Sequence, residues 1–171
     1  LGAVEELKII EQTDAYLHIG AMAALTDAFA ALTGLHAGWV ELARRFASRP
    51  VQNAGTLGGN VANGSPIGDS MPALIALNAS LLLQRGEVVR ELPLDEFYLD
   101  YQKTALASGE FVRAIRVPTP AATAGRHLFD TYKIAKRNEQ DISAVCAAFS
   151  VYLDSHNRVQ AVRIAYGGVA A

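Results

Sequence analysis

The segment from Gln52 to Ser70, QNAGTLGGNVANGSPIGDS, constrains this chain more than any other. Glycines at 55, 58, 59, 64 and 68 and asparagines at 53, 60 and 63 crowd into it, and Asp69 is its only charge. Glycine loses more conformational freedom on folding than any other residue, so such a cluster is kept where the backbone turns sharply or touches another group closely. Two known nucleotide loops fail on spacing. A triphosphate loop needs lysine then serine or threonine after its last glycine, and Asn60 and Val61 stand there. The dinucleotide fingerprint needs glycines at first, third and sixth positions after a strand, whereas Gly55, Gly58 and Gly59 fall at first, fourth and fifth after a helix and a proline. What remains is a loop presenting successive backbone N–H groups with the side chains of Thr56, Asn60, Asn63 and Ser65, a neutral nest suited to a diphosphate. A solvated loop with two turns is the competing reading. Leu57, Val61, Ile67 and Met71 argue against it, because these side chains need burial. Asp69 reads first as a helix cap and second as an acceptor for sugar hydroxyls.

The 171 residues, 51% of them hydrophobic, suffice for one core, or for one domain and part of a second. A net charge of -2 offers no basic field, which argues against nucleic acid as a partner. No apolar run approaches the ~20 residues a bilayer requires, and the first residues lack the pattern of a signal peptide. The expectation is a soluble, cytoplasmic protein with no membrane contact. The single cysteine, Cys146, excludes an internal disulfide and a four-thiolate cluster, and reads as a buried thiol. Histidines 18, 36, 127 and 156 form no i, i+4 pair, so no metal site is expected.

Local patterns predict a hairpin turning at Gln12 to Asp14, then a helix capped by Thr26 and stopped by Gly34. A second helix is expected over His36 to Ala47, ended by Pro50. After the glycine segment come a helix capped by Ser70 and closed near Asn78, then strands SLLLQR and EVVREL joined at Arg85-Gly86. Leu94 to Tyr101 reads as a short helix and loop, and FVRAIRVP as a strand. TPAATAG, residues 119 to 125, has linker composition and divides the chain. Beyond it, HLFDTYKIAKR, SAVCAAFSVYLD and VQAVRIAYGG read as antiparallel strands, the second ambiguous with a helix. Both ends of the sequence run almost directly into strands, as expected of a piece of a larger protein.

NAGTLGGNVANGSPIGDSMPAL closely resembles the flavin-binding segment of FAD domains in molybdenum hydroxylases, through T-L-G-G-N, S-P-I-x-D-S and the following P-A-L helix. YQKTAL, GEFVRAIRVP, YKIAKRNEQDISAV and AYGGVAA extend the resemblance over nearly the whole chain. The branch it most resembles is the small flavin-bearing subunit of bacterial xanthine dehydrogenases, with aldehyde oxidases and carbon monoxide dehydrogenase flavoproteins close by. The resemblance implies an α+β fold. Residues 1–118 would be the second subdomain of a PCMH or vanillyl-alcohol-oxidase type FAD-binding domain, mainly antiparallel sheet with flanking helices. Residues 126–171 would begin a partial, antiparallel β-rich C-terminal flavoprotein domain. Electrons would pass from a molybdenum cofactor in a large partner subunit, through [2Fe-2S] clusters of a preceding domain, to FAD and on to NAD. This chain would serve only the FAD step.

The resemblance assigns Phe46 to the adenine side of the cofactor. It assigns Thr56, Leu57, Gly58, Gly59, Asn60, Asn63 and Ser65 to the turn around the diphosphate. Asp69 becomes a cofactor contact, Val112 a backbone contact beside the flavin ring, and Lys133 a cation reaching the cofactor from the second domain. On its own Lys133 would read as a solvated strand lysine, and Arg137 reads first as a salt-bridge partner of Asp141. The family's earlier subdomain, with its A-G-G-T-D turn, is not found in this sequence, which implies weak or absent flavin in this chain by itself and self-association through its strands. Two further readings stand beside the flavin module, a cofactor-free assembly module of the same fold and a flavin oxidase acting directly on substrate. No residue reads as a catalytic acid or base.

Overall fold

The computed structural model describes residues 2–101, 103–120, 125–138 and 140–169. A hairpin of β1 (Ile10–Gln12) and β2 (Tyr16–Gly20) opens the chain. Its turn is held by Thr13, whose hydroxyl accepts from Tyr16 N at 3.0 Å. Helices α1 (Leu25–Leu35), α2 (Val40–Arg45), α3 (Arg49–Ala54), α4 (Leu57–Ala62) and α5 (Ser70–Ala76) follow. Next come β3 (Ser80–Arg85), β4 (Val88–Pro93), the short pair β5 (Tyr98–Asp100) and β6 (Lys103–Thr104), and β7 (Phe111–Pro118). The five-stranded antiparallel sheet has the order β1-β2-β7-β3-β4, so β7 inserts between the two hairpins. A second antiparallel sheet, β10-β9-β8, is formed by β8 (Arg126–Ala135), β9 (Ser143–Leu153) and β10 (Val159–Gly167). Among the described residues no helix is long and apolar enough to cross a membrane.

This is the expected α+β architecture, with several local corrections. Thr26 does not cap α1, because Ala24 precedes the helix and Leu25 N is fixed by Gly55 O at 2.9 Å. Its hydroxyl donates instead to Asn53 Oδ1 at 2.6 Å. Gly34 lies inside α1, which ends at Leu35. The second expected helix is a 3-10 turn, Ala37–Trp39, leading into α2, and Pro50 begins α3 rather than ending its predecessor. Ser70 is the first residue of α5, with Asp69 before it making no side-chain cap bond. Asn78 does close that helix, in a left-handed conformation with φ 58°. Part of the loop expected after Leu94 is the β5-β6 pair. SAVCAAFSVYL resolves as strand β9.

The largest correction falls on the glycine segment, where T-L-G-G-N is a helix start and not an open nest. Thr56 caps α4, its hydroxyl accepting from Gly59 N at 3.1 Å. Leu57 and Val61 are wholly buried, and Gly58 lets the helix touch the Ala21 backbone, where a Cβ would lie 2.4 Å from Ala21 Cβ and 2.6 Å from its carbonyl oxygen. Tertiary packing thus overrides the poor helix propensity of two adjacent glycines.

Of the linker expected over 119–125, residues 121–124 lie outside the described residues. One hydrophobic cluster runs across both sheets, joining Ile19, Leu32, Trp39, Leu74 and Ile115 to Phe129, Cys146, Ala148 and Ala165. Trp39 lies between Phe29 and Phe129, with ring centroids at 5.9 and 6.3 Å. Thr131 donates to Gly38 O at 2.7 Å, and Arg163 to Ile75 O at 3.2 Å, which ties β8 and β10 to the helical layer.

Candidate functional site

A concavity of about 300 Å³ opens where the α2–α3 connection, the approach to α5, β8 and the 140–143 segment meet. Phe46, Val51, Ile67, Asp69, Lys133 and Ser143 are among its lining residues. The sequence therefore separates Phe46, Asp69 and Lys133 widely, and the fold brings all three to one hollow. Phe46 ends α2 and packs edge-on against Phe29, with centroids 4.9 Å apart.

The floor of the hollow is charged and covered. Lys133 points inward from β8, since residues on a strand alternate between faces, and is 5% exposed. Its Nζ donates to Asp69 Oδ2 at 2.5 Å and to Ser143 Oγ at 2.7 Å, while Ser143 Oγ donates to Asp69 Oδ1. Lys133 is not the solvated lysine of a plain strand, and Asp69 is not the cap its position suggests. Two of the three ammonium N–H bonds are thus occupied, and one is left for the hollow among the described residues. Cys146 Sγ donates to Asp69 O at 3.4 Å. Burial, with the Asp69 charge beside it, pushes that thiol up to about 12, so it is a packed group and not a nucleophile. Arg137 and Asp141 form the expected ion pair, Nη2 to Oδ1 at 3.2 Å, which holds the Asp141 carboxyl below its ordinary range.

The other expected residues lie elsewhere. Thr56, Gly59, Asn60 and Asn63 occupy positions i, i+3, i+4 and i+7 of one helical face of α4, exposed or half-buried, opposite Leu57, Gly58 and Val61. The amides of this segment are already engaged: Leu57 N with Ala23 O, Gly58 N with Ala21 O, and Asn60 N with Thr56 O. The expected row of free N–H groups is therefore replaced by a stripe of hydroxyl and amide side chains. Asn60 joins the stripe to the charged floor, accepting from Ser70 Oγ at 2.5 Å directly beside Asp69. Ser65 lines a different hollow of about 660 Å³, with Tyr98, Tyr101 and Tyr166. Val112 is buried in β7 opposite Leu83, apart from the concavity.

Two residues were not singled out from sequence. Ser143 is legible only as a hydroxyl at an inward position of β9, and Arg45 only as half of a basic pair. Arg45 Nη1 donates to Lys133 O at 2.6 Å and its Nε to Asn138 O at 3.1 Å, which fixes the strand and turn that carry the hollow's far wall.

Residues 1–120 match the FAD binding domain in molybdopterin dehydrogenase, and residues 130–171 match the CO dehydrogenase flavoprotein C-terminal domain. Xanthine dehydrogenase of Emericella nidulans is 34% identical over 99% of this chain, and nicotinate hydroxylase of the same organism is 38% identical over 74%. The chain spans 13% and 10% of the lengths of these two relatives. Among solved structures, carbon monoxide dehydrogenase from Hydrogenophaga pseudoflava superposes with a TM-score of 0.87 at 28% identity, covering 99% of this chain and 58% of that one. Quinoline 2-oxidoreductase from Pseudomonas putida 86 gives 0.85 at 26% identity, with 99% and 57% covered. With a family match over residues 1–120, an α+β fold of the same build and relatives of this kind, the chain belongs to the FAD-binding domain family of molybdopterin dehydrogenases.

Proposed function

We propose that this chain forms one wall of the FAD site in an electron-transfer flavin module of a xanthine dehydrogenase-like molybdenum hydroxylase. The observation that carries the reading is the joining of the α4 polar stripe to the covered Asp69–Lys133–Ser143 floor through Asn60 and Ser70. The donor set fits one side of such a cofactor. Thr56, Asn60 and Asn63 offer neutral hydrogen-bonding groups to a diphosphate and its sugar neighbours, and Gly59 leaves that face flat. Phe46 supplies an aromatic wall for the adenine side, and Lys133 one N–H of a cation whose charge is already balanced by Asp69. Leu57 and Gly58 support the site by packing, whereas Ser65 and Val112 lie apart from it, Ser65 at the larger hollow and Val112 inside β7. The bound cofactor would supply redox chemistry, with electrons arriving from [2Fe-2S] clusters and a molybdenum-bearing large subunit and leaving to NAD.

In this reading residues 1–118 and 126–171 are two domains joined at 119–125, the protein works in the cytoplasm, and a preceding domain carries the clusters. The flavin subunit of a carbon monoxide dehydrogenase type is the second reading, and the 0.87 superposition favours it. The 34% identity across 99% of the chain supports the xanthine dehydrogenase type as the first reading.

The test is flavin stoichiometry, by absorbance, in the full-length protein. Asn63→Ala and Phe46→Ala should lower flavin per chain, and Asn63 is the cleaner probe because its side chain is exposed and makes no bond among the described residues. Full occupancy in both variants would sink the site assignment.

A further inference from the structure

Beside the candidate cofactor site lies another hollow, of about 420 Å³, framed by the end of α2, the start of α3 and Gln140. Arg44, Arg45, Ser48, Arg49 and Gln52 line it, so among the described residues three of its lining residues are arginines and none is acidic. Among the described residues, Glu41 is the acid in ion-pair reach of these guanidinium groups, 3.2 Å from Arg44 and 3.9 Å from Arg45, and its side chain is 49% exposed. The Arg45 side chain is only 16% exposed. Among the described residues its two hydrogen bonds go to neutral carbonyls, which leaves three of five N–H donors. Glu41 reaches Arg45 only at 3.9 Å and is itself half-exposed, so the covered guanidinium has room for a closer anionic partner. The frame is rigid, because the buried Gln52 amide donates to Ala43 O at 2.9 Å and Ala47 O at 3.1 Å and so fixes the α2–α3 connection.

We infer that this hollow binds the phosphate groups of a small phosphorylated ligand. Guanidinium forks match phosphate oxygens two at a time, which a row of lysines would not do. The volume lies within the range of small-molecule sites, and Ser48 adds a hydroxyl while Ala43 and Ala47 supply apolar contact. The phosphates belong either to a nucleotide or to a free inorganic species, since the arginines recognise the same groups in both. The hollow adjoins the candidate cofactor site through Ala47, Ser48 and Gln140, but Phe46, Asp69 and Lys133 do not line it, so titration with flavin bound separates the two.

The test is calorimetric titration of the full-length protein, flavin bound, at low salt with ADP, pyrophosphate and inorganic phosphate. Binding should occur without release of flavin, and Arg44→Gln and Arg49→Gln should each weaken it about tenfold, the loss of roughly one charge-assisted hydrogen bond. ADP binding more tightly than pyrophosphate assigns the site to a nucleotide, and equal affinities assign it to the phosphates alone. Absence of binding at millimolar ligand, unchanged affinity in both variants, or displacement of flavin overturns the inference. Failure here leaves the Asn63→Ala and Phe46→Ala test untouched.

Discussion

At the scale of single residues, the ammonium of Lys133 and the carboxylate of Asp69 depend on each other, since both are covered and Ser143 bonds to the two of them. Removing one partner leaves a buried charge without compensation. Lys133→Ala should therefore cost about 3–5 kcal/mol of stability, and Lys133→Met combined with Asp69→Asn should recover part of it, as read by urea midpoints. His36 makes a second case. Burial, with His127 edge-on at 5.0 Å, lowers its pKa to about 4 from 6.5, and burial lowers His127 as well. The unfolded chain then takes up the proton first. Stability contributed by neutral His36 is complete above pH 6.5 and is lost as the pH falls from 6.5 toward 4. His36→Phe should flatten this part of the pH–stability curve by an amount on the order of 2–3 kcal/mol, measured by urea unfolding at pH 7 and pH 4.5.

Elements show why α4 defeats a reading from propensity. Its inward residues Leu57, Gly58 and Val61 follow from the fold around them, and its outward stripe is visible only once the segment is known to be helical. Gly58→Ala should destabilise by about 1–3 kcal/mol, because overpacking against the Ala21 backbone outweighs the gain in helix propensity. Gly59→Ala, whose Cβ would meet only Thr56 Oγ1 at 2.9 Å, should cost much less. Thr56→Val removes the cap and should cost about 1 kcal/mol. Comparative thermal melts of the three variants check the order. An equal loss from both glycine substitutions would show that helix packing against Ala21 is not what Gly58 provides.

On the scale of the whole molecule, the continuous core across both sheets should make unfolding a single event. Trp39 is the one tryptophan, fully buried between Phe29 of the helical layer and Phe129 of β8. Its fluorescence and far-ultraviolet circular dichroism should therefore change together in urea. Two separated transitions would mean that the β8–β10 sheet holds its own fold without the first layer.

Sequence by itself determined strands such as β7 and β8, because apolar alternation in FVRAIRVP and HLFDTYKIA is a local pattern with a period of two. It also determined the hairpins, through their polar turns, and the family, through T-L-G-G-N followed by S-P-I-x-D-S. Tertiary structure decided how those pieces are used. Whether two glycines make a loop or a helix depended on the space against Ala21, and the fate of Asp69 depended on Lys133 and Ser143, 64 and 74 residues away. Arg45 became visible only when β8 lay beside α2. A side chain's partner across such distances is set by the packing of whole layers, which no window of sequence contains.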